Sequence, residues 1–285
     1  MRNNNSTPIM IAGMHRSGTS MITDILHKLG LVIGNKLDSN HESLFFQRIN
    51  MWMMSLISSS WDSPKSFDSI DLEVKENIIV QLNKLLDSRT NSIYFGWSSI
   101  INKGSFDSID NPWGWKDPRN TFTENIWREV FPSLKAVYII RHPIDIADSL
   151  IKRQKREKNR DIQREKRYSD LVKSLLSITH TSYNSSLLIN SYHDCFNLIE
   201  LYYDQILRNL VEGTLLIKFE DVISNPEVEI QNILSYCDLS FNENDVSKLV
   251  EFINPSRCYA YRKNSDLVKF EKTYSQLIEK MGYSS

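Results

Sequence analysis

Apolar positions along this chain follow two rhythms, and their alternation predicts the fold class. Short apolar runs bounded by loop residues mark buried strands at 9–12, near 114–116, at 136–140 and at 215–219. Helical periodicity fills the stretches between them: roughly 20–29, 41–58, 71–87, 122–130, 144–160, 168–210 in pieces, 226–237 and 243–253. The first is the clearest, because Met21, Ile22, Ile25, Leu26 and Leu29 share one face and the pattern stops at Gly30. Pro143, Pro226 and Pro255 stand where elements should start or end. Strands separated by helices predict an α/β fold, a three-layer arrangement whose central parallel sheet is covered on both faces. No linker interrupts the spacing, so residues 1–285 read as one domain, with the polar, asparagine-rich stretch 1–7 disordered.

Composition alters this picture little. With 41% hydrophobic and 24% charged residues and a formal charge of −1, the chain offers no global charge argument for nucleic acid or membrane. The polar N-terminus predicts no signal peptide, and no run of about 18 apolar residues predicts a transmembrane helix. Cys195, Cys237 and Cys258 lie too far apart for a metal or disulfide pattern, which suits a cytoplasmic protein with reduced thiols. There is no internal repeat, and nothing marks an oligomeric state.

Chemistry enters at residues 13 to 20, Gly-Met-His-Arg-Ser-Gly-Thr-Ser. The loop joins the first strand to the first helix, where backbone N–H groups and the helix dipole favour an anion. Gly13 and Gly18 have the spacing of a Walker A loop, but Thr19 stands in place of its lysine, and a cation appears inside the loop at Arg16. Such a loop suits a phosphate without the lysine that serves a β,γ-phosphate and its magnesium.

A second signal lies at 134–149. Val137 to Ile140 is a buried-strand run, Arg141 falls at its C-terminal end, and Pro143 fits a first helical turn. Ligands of open α/β sheets gather at the C-terminal ends of strands, so Arg141 and the glycine loop should share one edge. Ser149 lies about two turns into the helix, which lets a guanidinium and a hydroxyl clasp one phosphate.

Together, Arg16-Ser-Gly-Thr-Ser20 and the Arg141/Ser149 pair resemble the sulfotransferases that use 3′-phosphoadenosine-5′-phosphosulfate (PAPS). Further stretches fit bacterial sulfotransferase-domain proteins: Asn40 to Gln47, Trp113-Gly-Trp-Lys-Asp-Pro-Arg119, Ile217 to Asp221 with Asn225-Pro226, and Ser256 to Arg262. The resemblance spans roughly 8–263 and implies a P-loop-NTPase-like sulfotransferase fold. It implies that Arg16, Ser17, Gly18, Thr19 and Ser20 hold the 5′ side of the donor and that Arg141 and Ser149 hold its 3′-phosphate. The product would be 3′-phosphoadenosine-5′-phosphate (PAP). Many cytosolic members carry lysine where Arg16 stands and use a histidine base. The loop arginine instead resembles carbohydrate-type members, in which a glutamate often takes that role.

In-line sulfuryl transfer needs positioning, a base for the acceptor hydroxyl and a cation near the transferring group. A sulfuryl group carries less charge than a phosphoryl, so no metal need be invoked. Glu42 is the candidate base, with His41 as its rival, although Ser39-x-x-Glu42 also fits a capping box for the next helix. Lys116 and Arg16 are the candidate cations; for Lys116 the plain alternative is a solvated pair with Asp117. His15 reads as a packing residue, and Arg257 or Arg262 as a C-terminal lid over the 3′-phosphate. The tryptophans read mainly as core. The run 152–167, nine basic and three acidic residues, reads as a charge-laced helix or as a funnel for an anionic acceptor or for PAPS. A small molecule, a carbohydrate or a glycolipid is the expected acceptor. A P-loop kinase-like phosphotransferase and an inactive nucleotide-binding module are the alternative readings.

Overall fold

Four strands, β1 (Pro8–Ala12), β2 (Trp113–Lys116), β3 (Lys135–Ile140) and β4 (Thr214–Lys218), pair in the order β2-β1-β3-β4, all parallel. The structure, a computed structural model, describes residues 7–96, 105–165 and 185–284. The expectations for 1–6, for the helical pattern at 168–184, for Trp97 and for the end of the basic run at 166–167 lie outside these residues.

Side-chain alternation splits each central strand between two cores. Ile9, Ile11, Val137 and Ile139 face a cluster built with helices α1 (Thr19–Lys28), α7 (Pro226–Tyr236) and α8 (Glu243–Val250). Met10, Ala12, Ala136, Tyr138 and Ile140 face the other side. There α2 (Leu44–Leu56), α3 (Leu72–Leu86), α4 (Asn120–Val130), α5 (Pro143–Glu165) and α6 (Tyr192–Asn209) cover the sheet. Apolar runs without alternation of polarity are what a strand buried on both faces requires. The aromatic centre of the second core is the Phe46 ring stacked on Trp115, with centroids 4.1 Å apart, and flanked by Trp113 and Trp127. Gly114 belongs where it stands: a Cβ there would lie 2.0 Å from the Ile9 carbonyl oxygen of β1.

The register brings the C-terminal ends of the strands to one edge. Ile11 pairs with Lys116, Ala12 with Tyr138 and Ile140 with Lys218, so Gly13, Asp117, Arg141 and Phe219 all leave the sheet together. Pro143, Pro226 and Pro255 each open a helix or helical turn. Of the boundaries that differ from the sequence reading, two bear on the site. Phe219 opens a short helix (Phe219–Ser224) rather than ending β4. The second helix begins at Leu44, because Asp38 first folds 38–42 into a turn by accepting the N–H groups of Asn40 and Glu42 at 2.8 and 2.9 Å.

Candidate active site

At the strand-end edge a cleft open to solvent is lined by Gly18, Thr19, Glu42, Lys116, Arg141 and Arg153 among others. Its floor is the loop between β1 and α1. Gly18 caps α1 with φ 102°, and a Cβ on it would meet the Phe219 ring at 2.3 Å, so the loop can only close this tightly on glycine. Arg16 also has a positive φ of 73°, which turns its side chain out of the loop. The Ser17 hydroxyl is buried without a hydrogen-bond partner, beside the first turn of α1 with Thr19 and Ser20.

Across the cleft stands the pair expected to do the chemistry. Lys116, the last residue of β2 and 1% exposed, extends its ammonium 3.1 Å from Glu42 Oε1 and 3.4 Å from Ser20 Oγ. Gln47 donates to the other Glu42 oxygen at 2.9 Å, and Arg119 lies 3.6 Å from it. Burial and the nearby Asp117 push the Glu42 carboxyl above the usual carboxylate range, against the pull of Lys116 and Arg119. The capping-box reading of Glu42 is corrected: Ser39 caps nothing, Ser43 is the N-cap, and Asp38 takes the local amides. Lys116 likewise pairs with Glu42 and not with Asp117. His41 points elsewhere, its ring nitrogen 3.8 Å from Asp24 on α1.

Asp117 instead belongs to a buried polar network that fixes the end of β2. It accepts from Arg119 at 3.0 Å and from Asn50 at 3.0 Å. Asn50 also donates to Asn120 at 2.8 Å, and its oxygen accepts from Thr123 and from the Trp127 indole at 3.0 and 2.9 Å. Asn120 in turn binds the Trp115 indole and the Ile11 carbonyl. Sequence reading missed Asn50 and Asn120; an amide inside the apolar face of α2 was the available signal.

The third wall is the expected phosphate clasp. Arg141 follows β3, is 9% exposed and leaves its Nε unpartnered in the interior. Its remaining nitrogens donate to the Arg16 carbonyl at 3.3 Å, Asp145 at 3.1 Å and the Arg257 carbonyl at 2.5 Å, and the guanidinium lies over Phe219. Asp145, also missed, accepts the backbone N–H groups of Ala260 and Tyr261, tying the C-terminal segment to the clasp. Ser149 faces the same region and accepts from Arg16 Nε at 2.9 Å. The structure therefore turns Arg16 towards Ser149 and gives it no hydrogen bond to Lys116 or Glu42. Of the two lid candidates, Arg257 lines the cleft, whereas Arg262 stacks on Tyr259 at 4.4 Å.

His15 packs its ring against Trp61, centroids 4.9 Å apart, and burial followed by the charges of Arg119, Arg153, Lys116 and Arg16 keeps it neutral. Trp113, Trp115 and Trp127 are core, Trp52 is 40% exposed, and Trp61 is partly buried near the cleft. Among the described residues no helix is long and apolar enough to cross a membrane.

A search of curated proteins finds no match. Among solved structures, the sulfotransferase domain from the curacin biosynthetic pathway is 13% identical with a TM-score of 0.50, covering 95% of this chain and 98% of that one. A sulfotransferase from Alicyclobacillus acidocaldarius is 16% identical, TM-score 0.46, over 96% and 93%. Mouse SULT7A1, solved in complex with PAP, is 10% identical, TM-score 0.45, over 96% and 84%. The first of these, at a TM-score of 0.50, is a likeness of fold alone. The model of the sulfotransferase family matches residues 8–243, so the chain belongs to the sulfotransferase family.

Proposed function

We propose that the protein moves a sulfuryl group from PAPS to an acceptor hydroxyl, on a small molecule or a carbohydrate. The observation that carries this reading is the buried Lys116–Glu42 pair, set across one cleft from a phosphate loop and the Arg141/Ser149 clasp. Two buried polar atoms without partners support the donor: Nε of Arg141, which lines the cleft, and the Ser17 hydroxyl inside the loop that floors it. Ser17, Gly18, Thr19 and Ser20 would hold its 5′ side, and Arg141, Ser149 and Arg16 its 3′-phosphate. PAPS supplies the sulfuryl group and leaves as PAP.

Glu42 takes the acceptor proton on the oxygen that faces Lys116, and its raised pKa suits a base working near neutrality. Gln47 holds the other oxygen, which fixes the carboxylate's direction. The Lys116 ammonium, bound to both Glu42 and Ser20, stabilises charge that develops between acceptor and phosphate loop. Thr19 in place of the Walker lysine and the low charge of a sulfuryl group lead us to expect transfer that survives EDTA. The three free cysteines suit a cytoplasmic setting.

Melting of the pure protein with PAP, and separately with ATP and magnesium, tests the donor. Ligand at about 100 times its Kd stabilises by about 2.7 kcal/mol, and this should appear with PAP. A shift only with ATP and magnesium would refute the proposal in favour of phosphoryl transfer.

A further inference from the structure

Arg153 is a cation in the cleft that the donor reading does not use. It lies one turn beyond Ser149 on α5, is half-buried and lines the same cleft as Glu42. Of the other cations on that helix, Lys152 pairs with Asp148 at 2.6 Å and Arg156 and Arg160 pair with Glu157 at 3.3 and 3.0 Å, while Lys155 and Lys158 are exposed to solvent. Arg153 has no ion pair or hydrogen bond to any described residue. Its guanidinium instead rests on the face of Trp61, 5.3 Å from the ring centroid. Trp61 is itself held, edge-on to His15 and through its carbonyl by the Tyr202 hydroxyl at 3.0 Å. His15 contributes a buried, unpartnered Nε2 beside it.

A guanidinium stacked on an aromatic ring keeps its in-plane N–H fork free, and the ring limits its motion. A half-buried charge without a counter-ion is costly, and an anion delivered by a ligand would offset that cost. The groups facing Arg153 are Trp61, His15, Glu42, Arg119 and, from the loop, Arg16, with Arg156 and Glu157 from its own helix. Glu42 and Arg119 already hold Lys116 and Asp117, so neither saturates it.

We propose that Arg153 on Trp61 forms an acceptor subsite for a fixed negative charge, so that the acceptor is a hydroxyl compound also bearing a carboxylate, phosphate or sulfate. This rests on the assignment of the Arg141 side of the cleft to the donor. It makes Arg153 a specificity residue, outside the proton and sulfuryl transfer.

With the donor grip saturated by PAP, matched pairs would be titrated calorimetrically: methyl glucuronide against methyl glucoside, 4-hydroxyphenylacetate against its amide, and glycerol 3-phosphate against glycerol. In at least one pair the charged member should bind about tenfold or more tightly, as a charge-assisted fork predicts. Arg153→Gln should abolish that preference and leave the PAP Kd unchanged, and Arg156→Gln should keep it. No preference in any pair, a preference that survives Arg153→Gln, or an equal loss in Arg156→Gln would each overturn the subsite. PAP titration reports separately on the donor: failure there, with charge preference intact in PAP-free protein, would remove the donor assignment and leave the subsite standing.

Discussion

Glu42 and Lys116 form one buried pair, and the pKa of Glu42, the proposed base, is set by what surrounds that pair. Because burial raises the Glu42 pKa, kcat/KM should rise with pH through a value above the ordinary carboxylate range and then level off. Glu42→Gln should abolish that acid limb together with most of the turnover, while PAP still binds; a limb at an unperturbed carboxylate pKa would contradict the assignment. Arg141 makes a different demand. Arg141→Ala should weaken 3′,5′-bisphosphate binding by ten- to a hundredfold, the worth of a hydrogen bond to a charged group, with a much smaller effect on a 5′-monophosphate. Equal losses for the two nucleotides would remove Arg141 from the 3′-phosphate. The positions of Lys116 and Arg141 were legible in the sequence, because one ends β2 and the other follows β3, whereas Glu42 sits in a turn that no strand announces. The direction of Arg16 was not legible, since the positive φ that swings it to Ser149 leaves no mark in the residue pattern.

At the scale of elements, the sheet was readable and the helix starts were less so. Central strands buried on both faces must be apolar throughout, so β1 and β3 showed themselves directly. The start of α2 was hidden because Asp38, five residues before Ser43, organises the turn that precedes it. The same helix carries Asn50, whose two polar atoms serve four side chains: Asp117, Asn120, Thr123 and Trp127. Replacing it strands several buried partners at once. Asn50→Ala should therefore cost about 2–4 kcal/mol in urea-induced unfolding, as buried unsatisfied groups do. A loss within about 0.5 kcal/mol, the range of ordinary surface changes, would mean that the network does not hold β2 in place.

Across the whole molecule, contacts between distant segments lay beyond any periodicity. The ring of His142, next to Arg141, stacks on Tyr261 at 4.6 Å, and its backbone N–H donates to Glu220 at 2.9 Å. Burial, then the charges of Arg262 and Arg141, push its pKa down to about 4, so the fold holds it neutral. The unfolded chain takes up a proton near pH 6.5, which means that stability is full above that value and falls as pH drops towards 4. Between pH 7 and 5 the loss from this residue should be about 2 kcal/mol, and His142→Gln should unfold with a correspondingly shallower dependence on pH. An unchanged slope would show that the docking of 260–283 does not sense this proton.

The tie from Asp145 to the amides of Ala260 and Tyr261 also bears on how this protein is cut for study. A fragment drawn to the family match would stop at residue 243, seventeen residues short of those amides. It would keep every strand and the loop, yet strip Asp145 of the contacts that aim it at Arg141. Such a fragment could look intact by circular dichroism and still be deaf to its nucleotide.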